Sequence, residues 1–176
     1  MRKLAVILVI ALLAAGGYLL WQNHSLQEEA ARLKAQLIEL TAAQETEITI
    51  YLVDETPTDF LLVPVVRRVK GTATPEKALE LLIQGPAQDE RYRPAVSPET
   101  KVQSLTIVNG VATVSFNQAL RKGYVGGSQN EANLVNSIVH TLTEFPQIQA
   151  VQILFDGEKI ETIGGHLVID VPLRRN

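Results

Sequence analysis

The rhythm of apolar and polar positions changes several times along the chain. Leu4 to Trp21 is one uninterrupted apolar run, LAVILVIALLAAGGYLLW, without a charge. At a helical rise of about 1.5 Å per residue it reaches about 27 Å, close to the roughly 30 Å hydrocarbon thickness of a bilayer. It predicts a signal anchor, a single transmembrane helix over residues 1–22. A cleaved signal peptide is the alternative, because Arg2 and Lys3 form a basic start and Ala15-Gly16-Gly17 offers small residues for cleavage. Tyr18-Leu19-Leu20-Trp21 carries the run past that point and ends it on an interfacial aromatic, which favours the anchor. Arg2 and Lys3 ahead of the span place the N-terminus in the cytoplasm and the C-terminal part outside the cell membrane.

Behind the span the spacing becomes heptadic. Leu26, Ala30, Leu33, Leu37 and Leu40 follow one another at intervals of four, three, four and three. That is an a/d seam of about two and a half heptads on a helical stalk over residues 23–44. So short a seam is marginal as a free coiled coil, and tethering to a membrane raises its effective concentration. The stalk is therefore either a self-pairing coil or a solvated helix.

From residue 45 onward the pattern is that of a folded domain. Ile48 to Val53 alternates and is rich in β-branched residues, and Phe60 to Val69 reads as a second strand. Pro64 removes a ladder donor and puts that strand at an edge or a bulge. Arg67-Arg68 points one arginine to each face, as a charge-guarded edge or an interaction surface would. Thr74-Pro75-Glu76 opens a helix that Gly85-Pro86 closes. Asn109-Gly110 predicts a type I′ hairpin pairing Val108 with Val111, Leu105 with Val114 and Gln103 with Phe116. Ser128-Gln129-Asn130-Glu131 fits a capping box before a stripe of Ala132, Val135, Ile138, Val139 and Leu142. Ala150 to Phe155 and His166 to Pro172 complete the series as strands. The predicted class is α+β, in the order β-β-α-β-β-α-β-β, with two helices on one face of a mixed or antiparallel sheet, preceded by the transmembrane helix and the short helical coil.

Composition narrows the function classes. The chain has 16 basic and 19 acidic residues, and from Glu45 onward 12 against 16, so no basic field exists to hold nucleic acid. Without cysteine there are no disulfides, thiolate metal sites or lipidated N-terminal cysteine. His24, His140 and His166 are scattered and lack metal-ligand spacing. Ser128 lacks a nucleophile elbow and is claimed by the expected cap. No enzyme activity, metal or cofactor is expected. The loop holding Tyr124, Gly126, Gly127 and Ser128, with Arg121 nearby, either cradles an anion on backbone N–H groups or simply makes a turn and cap. Tyr92 and Arg93 sit in another loop able to stack on or pair with a partner.

The segments LLVPVVRRVKG, TPEKALELLIQGP, NGVATVSFN and GGSQNEANLVNSIVHTLTEFPQIQAVQILFDGEKI resemble the GerMN domain of sporulation and spore-germination proteins, from about Ile48 to about Gly165. The second helix and its flanks are the most specific stretch, with Gly126-Gly127-Ser128, Glu131 and Thr141 to Pro146 in family order. The resemblance implies a ring-building-motif-like fold over residues 45–176 and a non-catalytic, extracytoplasmic module of the bacterial envelope. Here a single copy stands behind a coil, unlike the tandem lipoprotein form. The expected partners are the membrane and envelope proteins or a second copy. A peptidoglycan or polysaccharide ligand of the cell wall, held by loops around Tyr92 and Tyr124, is the alternative.

Overall fold

The computed structural model describes the backbone of residues 2–175 and the side chains of residues 16–40 and 44–175. The chain divides into two compact units, Met1–Glu45 and Thr46–Asn176. In the first, α1 (Arg2–Ala43) is one continuous helix. The seam residues Leu26, Ala30, Leu33, Leu37 and Leu40 are all exposed on it. Among the described residues no helix is long and apolar enough to cross a membrane. The expected span over residues 1–22 lies for the most part outside the described side chains.

In the second unit β1 (Glu45–Glu55) and β2 (Phe60–Lys70) pair as a two-stranded sheet. β3 (Val102–Val108), β4 (Val111–Phe116) and β5 (Ala150–Phe155) form a separate three-stranded sheet. β3 runs antiparallel to β4, and β5 parallel to it. The connection between those parallel strands is α3 (Ala119–Lys122) followed by α4 (Ser128–Thr143), since parallel neighbours need a crossover. α2 (Pro75–Gln84) precedes β3 and starts as its sequence indicates, with Thr74 Oγ1 accepting from Lys77 N–H at 3.2 Å.

α4 packs against α2, β2 and β5, and its stripe of Val135, Ile138, Val139 and Leu142 is buried. Against it lie Leu79 and Leu82 from α2, Ile50 and Leu52 from β1, and Val151, Ile153 and Phe155 from β5, in one contiguous core. Because neighbours cover α4 on several sides, polar residues are buried on it too. Ser137 Oγ donates to Leu134 O, and Thr141 Oγ1 accepts from Tyr51 N–H. That last bond, with the exchange between Val53 and Arg93, occupies the edge of β1 away from β2. β2 is left as an edge, as Pro64 requires. Arg67 there makes two bonds to Glu90, at 2.7 and 2.6 Å, and Arg68 pairs with Glu47 at 3.3 Å.

The structure departs from the sequence expectation in its sheets and in the connections between them. The sheet is two sheets, and the short helix α3 was not anticipated. The hairpin register holds from Val108↔Val111 to Ser104↔Ser115, but a bulge then sets Val102, not Gln103, opposite Phe116. The bulge frees the Gln103 side chain to accept from Ser115 Oγ and donate to Asp156 Oδ1. Finally, His166 to Pro172 forms no strand. It meets β5 through Gln152 Nε2, which donates to Ile169 O, and just beyond its end where Leu173 bridges Val151; Ile169 N–H goes to Glu161 O, and His166 N–H, with those of 163 and 164 before it, goes to a side chain on α4.

Candidate functional site

That side chain is Glu131. It falls in phase with Val135, Ile138 and Leu142, so helical geometry turns it onto the buried face, away from a capping box. The N-cap is Gly127, at φ 93°, a conformation closed to serine; Ser128 is exposed and makes no capping bond. Glu131 is fully buried. Its Oε1 accepts from Ile163 and Gly164 N–H at 2.9 and 2.8 Å; its Oε2 accepts from His166 N–H at 2.9 Å and from the His166 ring Nδ1, protonated there, at 3.0 Å. Burial alone would push the carboxyl up. The bonds from Gly164, His166 and Ile163 outweigh that and hold it below the usual carboxylate range.

The clamp brings the 163–166 loop against the 123–127 loop. Tyr124 donates from its hydroxyl to Gly127 O at 2.8 Å, and its ring lies so close to Gly164 that a Cβ there would stand 2.4 Å from the ring. Burial, then the charge of Glu131, raises the pKa of this phenol. Gly123 is held as closely against Ser97. The two Asn130 bonds, to Val125 O and Gly126 O, fix the remainder of the loop from the first turn of α4.

Beside this loop is a cavity of about 250 Å³, lined by Val53, Arg93, Ser97, Tyr124, Asn130 and Asn133 among others. The structure thus unites Arg93 and Tyr124, two of the residues expected from sequence. Tyr92 packs half-buried against the core, and Arg121, Gly126, Gly127 and Ser128 stand outside the lining. Arg93 is itself paired, with Glu55 at 2.8 Å, and Arg91 with Asp54 at 2.8 Å, so much of the charge in that loop is spent on β1. Asn133 already donates to Phe60 O at 3.0 Å. Among the described residues no group of three acidic, histidine or cysteine side chains is placed to hold a metal.

Sequence reasoning missed the clamp. Its signal was Glu131 at the head of an apolar stripe, which a capping motif happened to explain equally well. It also missed a second polar cluster, in which Tyr51 donates to Glu144 Oε1 at 2.7 Å while Arg175 bonds both of them. His140 packs edge-on to the Tyr51 ring, with centroids 5.1 Å apart.

Residues 49–161 of the 176, well over half of the chain, match the family model Germane, described as sporulation and spore germination. The chain belongs to this GerMN-type family. Two solved structures from Bacillus subtilis agree in fold. The tandem GerMN domains of the sporulation protein GerM superpose with a TM-score of 0.63 at 24% identity, covering 75% of this chain and 46% of that one. The first GerMN domain of the same protein gives 0.58 at 22%, covering 74% of this chain and 98% of that one. The chain therefore spans under half of the tandem structure and nearly all of the single domain. No curated protein matches it in sequence.

Proposed function

We propose that this GerMN-type chain is a membrane-anchored, extracytoplasmic module that acts without catalysis, through protein–protein contacts, in assembly of the envelope or of sporulation and germination structures. The observation that supports it is the row of leucines at heptad spacing left exposed along α1, an apolar surface that a solitary helix in water would not favour. The single-charge-free run Leu4–Trp21 supports the anchor, and the sporulation setting is that of the relatives. Sedimentation equilibrium on chains beginning at Asn23 and at Glu45 tests the reading. Association of the longer chain alone locates it in α1, and association of both adds the domain; two monomers across micromolar concentrations sink self-assembly.

A second reading, recognition of a cell-wall polymer, is favoured by the cavity that brings Arg93 and Tyr124 together. Retention of the chain on isolated cell wall, lost in Tyr124→Ala with the fold intact, is its expected sign.

A further inference from the structure

Because α1 is unbroken, one heptad phase holds along its exposed face. With Leu26, Leu33 and Leu40 at d, the a positions are Asn23, Ala30 and Leu37. The flanking g positions are Gln22, Glu29 and Gln36, and the e positions Gln27, Lys34 and Thr41. Two features go beyond an apolar seam. The one charged g residue, Glu29, and the one charged e residue, Lys34, are five positions apart with opposite sign. That is the spacing at which g of one helix meets the following e of a parallel, in-register partner. In an antiparallel pair g faces g and e faces e, and neither charge would find an opposite. Asn23 at a is the second feature, since a polar a residue fixes register by pairing with its own copy. Among the described residues neither Glu29 nor Lys34 forms an ion pair within the chain.

We propose that Asn23 to Leu40 pairs in parallel and in register with the same segment of a second copy, with Glu29 of each helix against Lys34 of the other. This rests on the assembly reading above and adds to it a partner, a direction and a register.

The chain has no cysteine, so an introduced one is unique. Single variants of the full chain in membrane vesicles, Leu26→Cys, Ala30→Cys and Leu33→Cys on the seam and Glu28→Cys and Ala35→Cys opposite it, are oxidised and scored for disulfide dimer. Bridging needs Cα atoms within about 7 Å, so the seam positions should give several-fold higher yield than the others. A flat profile, or high yield at one position only as an antiparallel crossing gives, overturns the proposal. In the Ala30→Cys background, Glu29→Lys should lower the yield several-fold and Glu29→Lys with Lys34→Glu should restore it; failure to restore overturns the charge pair. The full chain's mass in detergent separates the two ideas. A dimer with a flat profile leaves assembly standing and removes the coil, whereas a monomer removes both.

Discussion

Glu131 is an acid where helical periodicity asks for an apolar side chain, and four hydrogen bonds make the substitution tolerable. An ionised carboxylate out of water is costly unless its lone pairs are met, and here three backbone N–H groups and an imidazole meet them. Because the folded-state pKa lies below that of the unfolded chain, this contribution is complete above about pH 4.5 and is lost as pH falls through the folded value. Glu131→Gln keeps the shape and removes the charge. It should cost about 2–4 kcal/mol at pH 7, by urea unfolding, and the gap to the parent should narrow below about pH 4.5. Parallel curves down to low pH would show that the carboxylate is not what holds the 163–166 loop. The loss should also loosen Tyr124, which rests on Gly164.

The β3–β4 hairpin shows how an element is specified twice. Asn109 and Gly110 adopt φ of 50° and 79°, the positive pair a type I′ turn needs, and the alternation on either side then sets the register. The turn is also docked, since Gly110 O accepts from Gln149 and Ala150 N–H at 2.7 and 3.2 Å where β5 begins. Gly110→Ala would hold a side chain at positive φ, with its Cβ 3.3 Å from Gln149 Cδ. A loss of about 1–3 kcal/mol is expected, seen first as faster amide exchange along β3. Unchanged exchange there would mean that the cross-strand pairs, not the turn, hold the hairpin. β2 is the contrasting element, an edge with Pro64, Arg68 and Lys70 along its exposed positions, which discourages casual strand addition.

Across the whole molecule the described core belongs to one unit, running from Ile48 to Ile169 without a residue of α1. A chain beginning at Glu45 should therefore unfold cooperatively at the same urea midpoint as one beginning at Asn23, measured at concentrations where neither associates. A lower midpoint for the shorter chain would show that the helix stabilises the domain. On the proposed reading the division of labour is spatial: α1 sets where the domain is held and, through its seam, with what copy number, while the second unit presents its edge strand and its cavity. From Asn23 to Ala43 the helix reaches about 30 Å at ~1.5 Å per residue.

What the sequence determined by itself were the features whose causes are local. The Thr74 cap, the stop at Gly85, the Asn109-Gly110 turn with most of its register, and the helicity of α1 behind the apolar run each depend on residues a few positions apart. Tertiary structure decided everything that depends on who stands opposite. It split the strands into two sheets and bulged Gln103 to reach Asp156. It kept the alternating His166–Pro172 segment out of a ladder by bonding His166 N–H to Glu131 and Ile169 N–H to Glu161 O in place of a neighbouring strand. It brought Arg93 to Tyr124 across a cavity and left Ser128, Arg121 and Tyr92 outside it. Alternation and caps report the backbone's own preferences within a few residues. Hydrogen-bond partners more than thirty positions apart, as Glu131 and Ile163 to His166 are, exist only once packing has closed the chain on itself.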